Sequence, residues 1–207
     1  MGSSALILAG GKGSRLGYQE KALVDINGKP LIAFVIESLE KAADNIIVSV
    51  RDTAQGELLD SVLSGHEYRF AYDICKDTGP LAGILSGMLI CEDEYCFVAA
   101  CDMPFINEDV IKMLFRESEH YDAAIPRWDD GFLEPLHAVY RCEPMIKETR
   151  EAIEKGETII LAPVFRLDVN YVSVDRIKSI DPDLRTFMNI NTYKDIETYK
   201  DIERLSK

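Results

Sequence analysis

The chain has 207 residues, 47% of them hydrophobic and 29% charged, which is enough to build one α/β domain around a sizeable core. A formal net charge of −13 excludes a nucleic-acid binder that works through a broad basic face, but leaves room for a nucleotide site made of a few local cations. No apolar run is long enough to span a bilayer, and the amino terminus lacks a basic stretch followed by a small-residue cleavage site, so the expectation is a cytoplasmic protein without membrane contact.

Ala5-Leu6-Ile7-Leu8 reads as a short buried strand of a parallel sheet. It runs into Leu8-Ala9-Gly10-Gly11-Lys12-Gly13-Ser14-Arg15-Leu16-Gly17 and then Glu20-Lys21-Ala22-Leu23. Glycines that crowded let backbone N–H groups turn towards an oxyanion that a Cβ would hold off. Lys12, Arg15 and Lys21 add positive charge, the guanidinium as a fork suited to phosphate. The stretch therefore predicts a triphosphate cradle at a strand's carboxyl end, where open α/β sheets bind ligands. It has neither the Gly-Lys-Ser/Thr of a Walker A loop nor the glycine spacing of a dinucleotide fingerprint.

Ala22-Leu23-Val24 resumes extended structure, Asn27-Gly28 turns, and Lys29-Pro30 opens a helix with Leu31, Val35 and Leu39 on one stripe. Asn45 to Val50 is the second strand, and Thr53 caps a helix with apolar positions Leu58, Leu59, Val62 and Leu63. Tyr68 to Tyr72 is a third strand, followed by Asp73 and the Gly-rich junction Gly79-Pro80-Leu81-Ala82-Gly83-Ile84, whose helix carries Gly83 and Gly87 for close approach to a neighbour. Tyr95 to Ala100 is a buried strand ending in Cys101-Asp102-Met103-Pro104-Phe105. A carboxylate there can bind Mg²⁺ on nucleotide phosphates, or cap the turn before a helix starting near Asn107.

The alternation then loosens, with strands at Ala123–Pro126, Leu133–Tyr140 and Tyr171–Val174, and helices over Pro144–Lys155 and around Ile159–Phe165. Trp128 is expected to pack on the sheet rather than stack on a ligand, and His137 to be a satisfied structural histidine. Asn189 and Asn191 alternate in an extended segment, so both amides can face one side, and Thr192 can cap a last helix running to Leu205. The five cysteines form no C-x-x-C pair; the equal spacing of Cys91, Cys96 and Cys101 runs along a strand, so reduced structural thiols are expected rather than a zinc site. The β-α alternation predicts an α/β fold, a single-domain Rossmann-like three-layer α/β/α sandwich with a mostly parallel sheet over residues 1–207.

From Leu6 to about Ile196 the chain resembles the molybdenum cofactor guanylyltransferases, within the nucleotide-diphospho-sugar transferase superfamily. Leu8 to Leu23 matches the signature shared by the whole superfamily. The finer likeness lies in Gly79 to Ile84, Cys101 to Phe105, Glu134-Pro135-Leu136-His137-Ala138-Val139-Tyr140, and Asn189-Ile190-Asn191-Thr192. The resemblance implies a nucleotidyltransferase that moves GMP from Mg²⁺-bound GTP to molybdopterin. Leu8, Ala9, Gly10, Gly11, Lys12, Gly13, Ser14 and Arg15 would then hold the nucleotide with Lys21, Asp73 and Asp102. Arg15, Lys21 and Asp102 would be catalytic, Asp102 the metal ligand, and Asn189 and Asn191 would lie on the pterin side. Cofactor-delivery or acceptor proteins are open partners. Two departures stand out: Glu20 replaces the usual Asp before the lysine, and Val50-Arg51 stands where relatives often carry Asn-Arg near the base. Cytidylyl transfer to molybdopterin, guanylyl transfer to cobinamide phosphate, and a non-catalytic nucleotide-binding role remain as alternatives.

Overall fold

The computed structural model describes residues 2–10 and 20–198. Strand β1 (Ser4–Leu8) lies between β4 (Asn45–Val50) and β6 (Tyr95–Ala100), parallel to both, and β5 (Arg69–Tyr72) pairs parallel with β4. Beyond β6 come β8 (His137–Arg141), β7 (Ala123–Arg127) and β9 (Val169–Ser173), completing a seven-stranded sheet in the order β5-β4-β1-β6-β8-β7-β9. Only β8 runs against the rest. The sequence does not foretell that reversal: Leu133 to Tyr140 reads as one strand, but only Leu133 bridges to Arg127 before the chain turns into β8.

Alternate residues of β1 feed two cores. Ala5 and Ile7 pack with α1 (Leu31–Leu39), α2 (Thr53–Asp60) and α4 (Glu108–Glu117), whereas Leu6 packs on the other face with α3 (Pro80–Leu89), α5 (Cys142–Glu154) and α6 (Leu161–Val164). The result is three layers with a mostly parallel central sheet. A short helix α7 (Val174–Lys178) adds Val174 and Ile177 to the first core.

Some local expectations fail for identifiable reasons. Residues Lys21–Leu23 form a single 3₁₀ turn instead of a strand, closed by Val24 N–H donating to Lys21 O at 3.1 Å. Extended structure resumes only in a small hairpin, β2 (Asp25–Ile26) with β3 (Lys29–Pro30), whose turn residues Asn27 and Gly28 both have positive φ, 57° and 85°. Pro30 is the cap that precedes α1 rather than its first residue. Asp52, not Thr53, caps α2, its side chain accepting from Gln55 N–H at 2.9 Å. α2 ends at Asp60, and of its expected apolar positions only Leu59 and Leu63 reach the core, while Leu58 and Val62 remain exposed. Gly83 and Gly87 allow α3 to lie on the sheet, Gly83 so close that a Cβ would stand 2.5 Å from Ser49 Oγ. A last helix, α8 (193–198), begins after Thr192, whose Oγ1 accepts from Asp195 N–H at 3.3 Å; the rest of the stretch expected to be helical as far as Leu205 lies outside the described residues.

The five cysteines are free thiols, with Cys96, Cys101 and Cys142 buried. Among the described residues no cluster of His, Cys, Asp and Glu is arranged to hold a metal, and no helix is long and apolar enough to cross a membrane.

Candidate active site

In this sheet the chain moves from β1 outwards to β4 and β5, then crosses back to β6 on the other side of β1. Adjacent connections therefore part at the carboxyl ends of β1 and β6, the position at which open α/β sheets leave a crevice. A cleft of about 770 Å³ opens there. Its lining includes Leu8 and Gly10 after β1, Arg51 and Asp52 after β4, Asp73 after β5, Asp102 after β6, and Lys21. Parallel pairing is what brings these together, since it places all four strand ends on one edge.

Lys21 Nζ donates to Asp102 Oδ2 and, at 2.6 Å, to Asn191 Oδ1. Side chains of this ion pair are only 16% and 13% exposed. Asp102 Oδ1 is buried and has no hydrogen-bond partner among the described residues. A buried carboxylate oxygen left open among these residues is a hard donor free to take a cation. Asp102 is held by its backbone as well, its carbonyl accepting from Ile190 N–H at 2.9 Å. Ile190 is buried against α1 and the hairpin, while Asn189 and Asn191 on either side are exposed. Asn191 thus reaches Lys21. Neither asparagine lines the cleft itself.

Asp73 accepts from Ser49 Oγ at 3.2 Å, and burial raises its carboxyl pKa above the usual range, a trend the Ser49 bond partly opposes. Arg51 is bound on the outer wall, donating from NH2 to Glu20 Oε1 at 2.7 Å and from Nε to Asp52 Oδ2 at 3.1 Å. The Glu20 contact above all, then Asp52, drives the Arg51 pKa up. Glu20, one of the two departures noted in the sequence, is therefore the partner of Arg51, while Val50, the residue that departs at the other, is buried in the core.

Gly11, Lys12, Gly13, Ser14 and Arg15 lie outside the described residues. Leu8, Ala9 and Gly10 lead directly into the cleft, Ala9 N–H donating to Ser49 O at 3.0 Å. Gly79, before α3, has φ 59° and ψ −140°, and a Cβ there would come 2.7 Å from Thr158 O, so this junction requires glycine. Thr78 Oγ1 beside it is buried in the cleft wall and unpaired among the described residues.

Of the Glu134 to Tyr140 motif, Leu136 lines the cleft, and Glu134, Pro135, His137 and Tyr140 make packing and hydrogen-bond contacts behind it. Trp128 Nε1 donates to Glu134 Oε1 at 2.8 Å while its ring packs 5.7 Å from Phe187, and Tyr140 OH donates to Pro135 O at 2.7 Å. His137 is fully buried, its Nε2 paired with Thr186 Oγ1 at 3.1 Å, but its buried Nδ1 has no partner among the described residues, so the expected satisfied histidine is satisfied at one ring nitrogen only. Sequence reading missed Gln55, which is 2% exposed beside the cleft's floor. Its only signal was a polar residue one turn into a helix that starts beside the site.

Comparison with known proteins adds the context. A family model described as the MobA-like NTP transferase domain matches residues 5–167. A Methanosarcina mazei protein named "Probable molybdenum cofactor guanylyltransferase" is 46% identical over 192 residues, covering 91% of this chain and 85% of its own length. A Desulfosudis oleivorans protein named molybdenum cofactor guanylyltransferase is 34% identical, covering 91% of this chain and 89% of its own length. The crystal structure of molybdopterin-guanine dinucleotide biosynthesis protein A from Archaeoglobus fulgidus superposes with a TM-score of 0.83 at 35% identity, covering 97% of this chain and 98% of that one. A Thermus thermophilus 2-C-methyl-D-erythritol 4-phosphate cytidylyltransferase shares the fold, with a TM-score of 0.71 at 15% identity and coverage of 99% of this chain and 100% of that one.

Proposed function

We infer that this chain, which belongs to the MobA-like NTP transferase family, is a molybdenum cofactor guanylyltransferase: it transfers GMP from GTP to molybdopterin, forming molybdopterin guanine dinucleotide and releasing pyrophosphate. The observation that carries the site assignment is the Lys21–Asp102 pair across the β1–β6 crevice, with Asp102 Oδ1 left open.

The terminal phosphate of molybdopterin attacks the α-phosphorus of GTP. A P–O bond forms there, and the bond to the β-phosphate breaks, its electron pair leaving with pyrophosphate. Because a phosphate nucleophile is already ionised, no general base is required, and the barrier lies in bringing two polyanions together in line. That is work for fixed positive charge and backbone amides. Lys21 Nζ, already shared between Asp102 on the nucleotide side and Asn191 on the pterin side, stands where charge on the α-phosphate develops. Segment 10–15 holds the triphosphate, Asp73 faces the nucleoside end of the cleft, and Asn189 and Asn191 take the pterin. Asp102, with its hard oxygen donor and open Oδ1, fits Mg²⁺, which characteristically keeps one or two protein carboxylates and takes its other ligands from phosphates and water. Bound there, the ion would neutralise phosphate charge.

Pyrophosphate release with each of the four NTPs and Mg²⁺, with molybdopterin or cobinamide phosphate as acceptor, tests the assignment. Turnover with GTP is expected. Turnover confined to CTP would move the protein to cytidylyl transfer, turnover confined to cobinamide phosphate would replace the acceptor, and binding without pyrophosphate would leave a nucleotide carrier.

A further inference from the structure

Gln55 uses every polar atom of its side chain. Nε2 donates to Ala9 O at 2.9 Å and to Glu20 Oε2 at 2.6 Å, while Oε1 accepts from Arg51 N–H at 2.7 Å. Its own backbone N–H is held by the Asp52 cap at 2.9 Å, so the side chain projects from a fixed helix start. Ala9 immediately precedes Gly10, and Glu20 immediately precedes Lys21. The two hydrogens of one amide thus go to the two ends of segment 10–19, one to each. Only a carboxamide of this length supplies two donors and an acceptor without charge: glutamate has no donor when ionised, lysine no acceptor, and methionine has neither to match.

Glu20 is itself 7% exposed and takes Arg51 NH2 on its other oxygen at 2.7 Å, so both of its oxygens are committed. A buried polar network satisfied in this way holds one geometry, and a broken member leaves the others unpaired at a site shielded from water.

We propose that Gln55 is a positioning residue for the transfer reaction: it ties Ala9, before the glycine-rich segment, to Glu20, after it, and, through Glu20, sets where the adjacent Lys21 stands opposite Asp102. This rests on the reading of segment 10–15 and Lys21 as the part that holds the nucleotide. It assigns a task to Gln55, which none of the family-like motifs includes.

The test uses the full-length protein. Gln55→Glu keeps the size of the side chain and sets a carboxylate against Glu20 and the Ala9 carbonyl. Its unfolding temperature, its Kd for Mg-GTP by calorimetry without acceptor, and its kcat and KM are compared with wild type. A rise in Kd and in KM for the nucleotide on the order of 10-fold to 100-fold is expected, the scale of a small misplacement of binding groups. In the double variant Glu20→Gln/Gln55→Glu the donor and acceptor change places, so the bond between the two side chains re-forms and part of the loss is recovered. A Gln55→Glu protein that melts earlier while its Kd, KM and kcat stay at wild-type values overturns the proposal. If Gln55→Glu does not fold, Glu20→Asp draws the carboxylate one methylene back from Gln55 and keeps its charge, and the same two outcomes decide. Should the wild-type protein prefer another NTP, the comparison is made with that nucleotide. The ratio of variant to wild type then judges Gln55, and the nucleotide's identity judges the guanylyl assignment.

Discussion

Lys21 is the residue on which the proposed chemistry turns, because its ammonium is shared between the Asp102 carboxylate and the Asn191 amide. In that mechanism, replacing it with alanine removes one fixed charge at the α-phosphate, and it leaves Asp102 without its counter-ion. Turnover of Lys21→Ala is expected to fall on the order of 10²-fold to 10³-fold, the usual scale for a single electrostatic stabiliser, measured as pyrophosphate release at saturating GTP. Wild-type turnover in that variant would remove Lys21 from the mechanism. Among single residues, Lys21 and Asp102 stand out in the sequence itself, in a charged glycine-rich stretch and at the end of a readable strand, whereas Asp73 is singled out only through the family resemblance. Glu20 and Gln55 could not be assigned to each other, because their contact joins two segments far apart in the chain.

At the scale of elements, the strand-to-helix junctions hold the site, and the one before α3 is the most constrained. Gly79 combines φ 59° with ψ −140°, a backbone region open in practice to glycine alone, and its missing Cβ leaves space for Thr158 O. Gly79→Ala is expected to lower stability by about 1–3 kcal/mol through backbone strain, with more from the clash. Equilibrium urea unfolding checks this, and an unchanged midpoint would mean that the junction relaxes without cost. The cleft wall at Thr78 should also shift, so nucleotide affinity falls in the fraction that folds. The strands β4 and β6 were legible to the residue because each is mostly apolar and buried on both faces. The 3₁₀ turn over Lys21–Leu23 was not, because its apolar residues resemble a strand and only the hairpin that follows fixes the turn.

Across the whole molecule, His137 ties the sheet to the segment that carries Asn189 and Asn191. Its ring lies between Phe97 and Phe187, with centroids 5.1 and 5.0 Å away, and its partner Thr186 Oγ1 also accepts from Asn107 N–H at 3.1 Å. Burial pulls its pKa down from 6.5 to about 3, so the native protein holds a neutral imidazole. The unfolded chain takes up a proton near pH 6.5, which the native state refuses until about pH 3. The His137 contribution is therefore intact above pH 6.5 and is lost as the pH falls, at about 1.4 kcal/mol per pH unit inside that window. Urea unfolding at successive pH values between 7 and 4.5 should show a steeper loss for wild type than for His137→Asn. Equal slopes would mean that the imidazole is not the group responsible.

The sequence by itself determined the layered α/β architecture, the strand that precedes each functional segment, and the family, because buried parallel strands and glycine-rich turns are local patterns with local causes. Tertiary structure alone decided the reversal of β8, the meeting of Lys21 with Asp102 and Asn191, and the fastening of Ala9 to Glu20 through Gln55. Pairing direction and long-range hydrogen bonds depend on which surfaces are left to be covered once the strands assemble. No short window of residues carries that information.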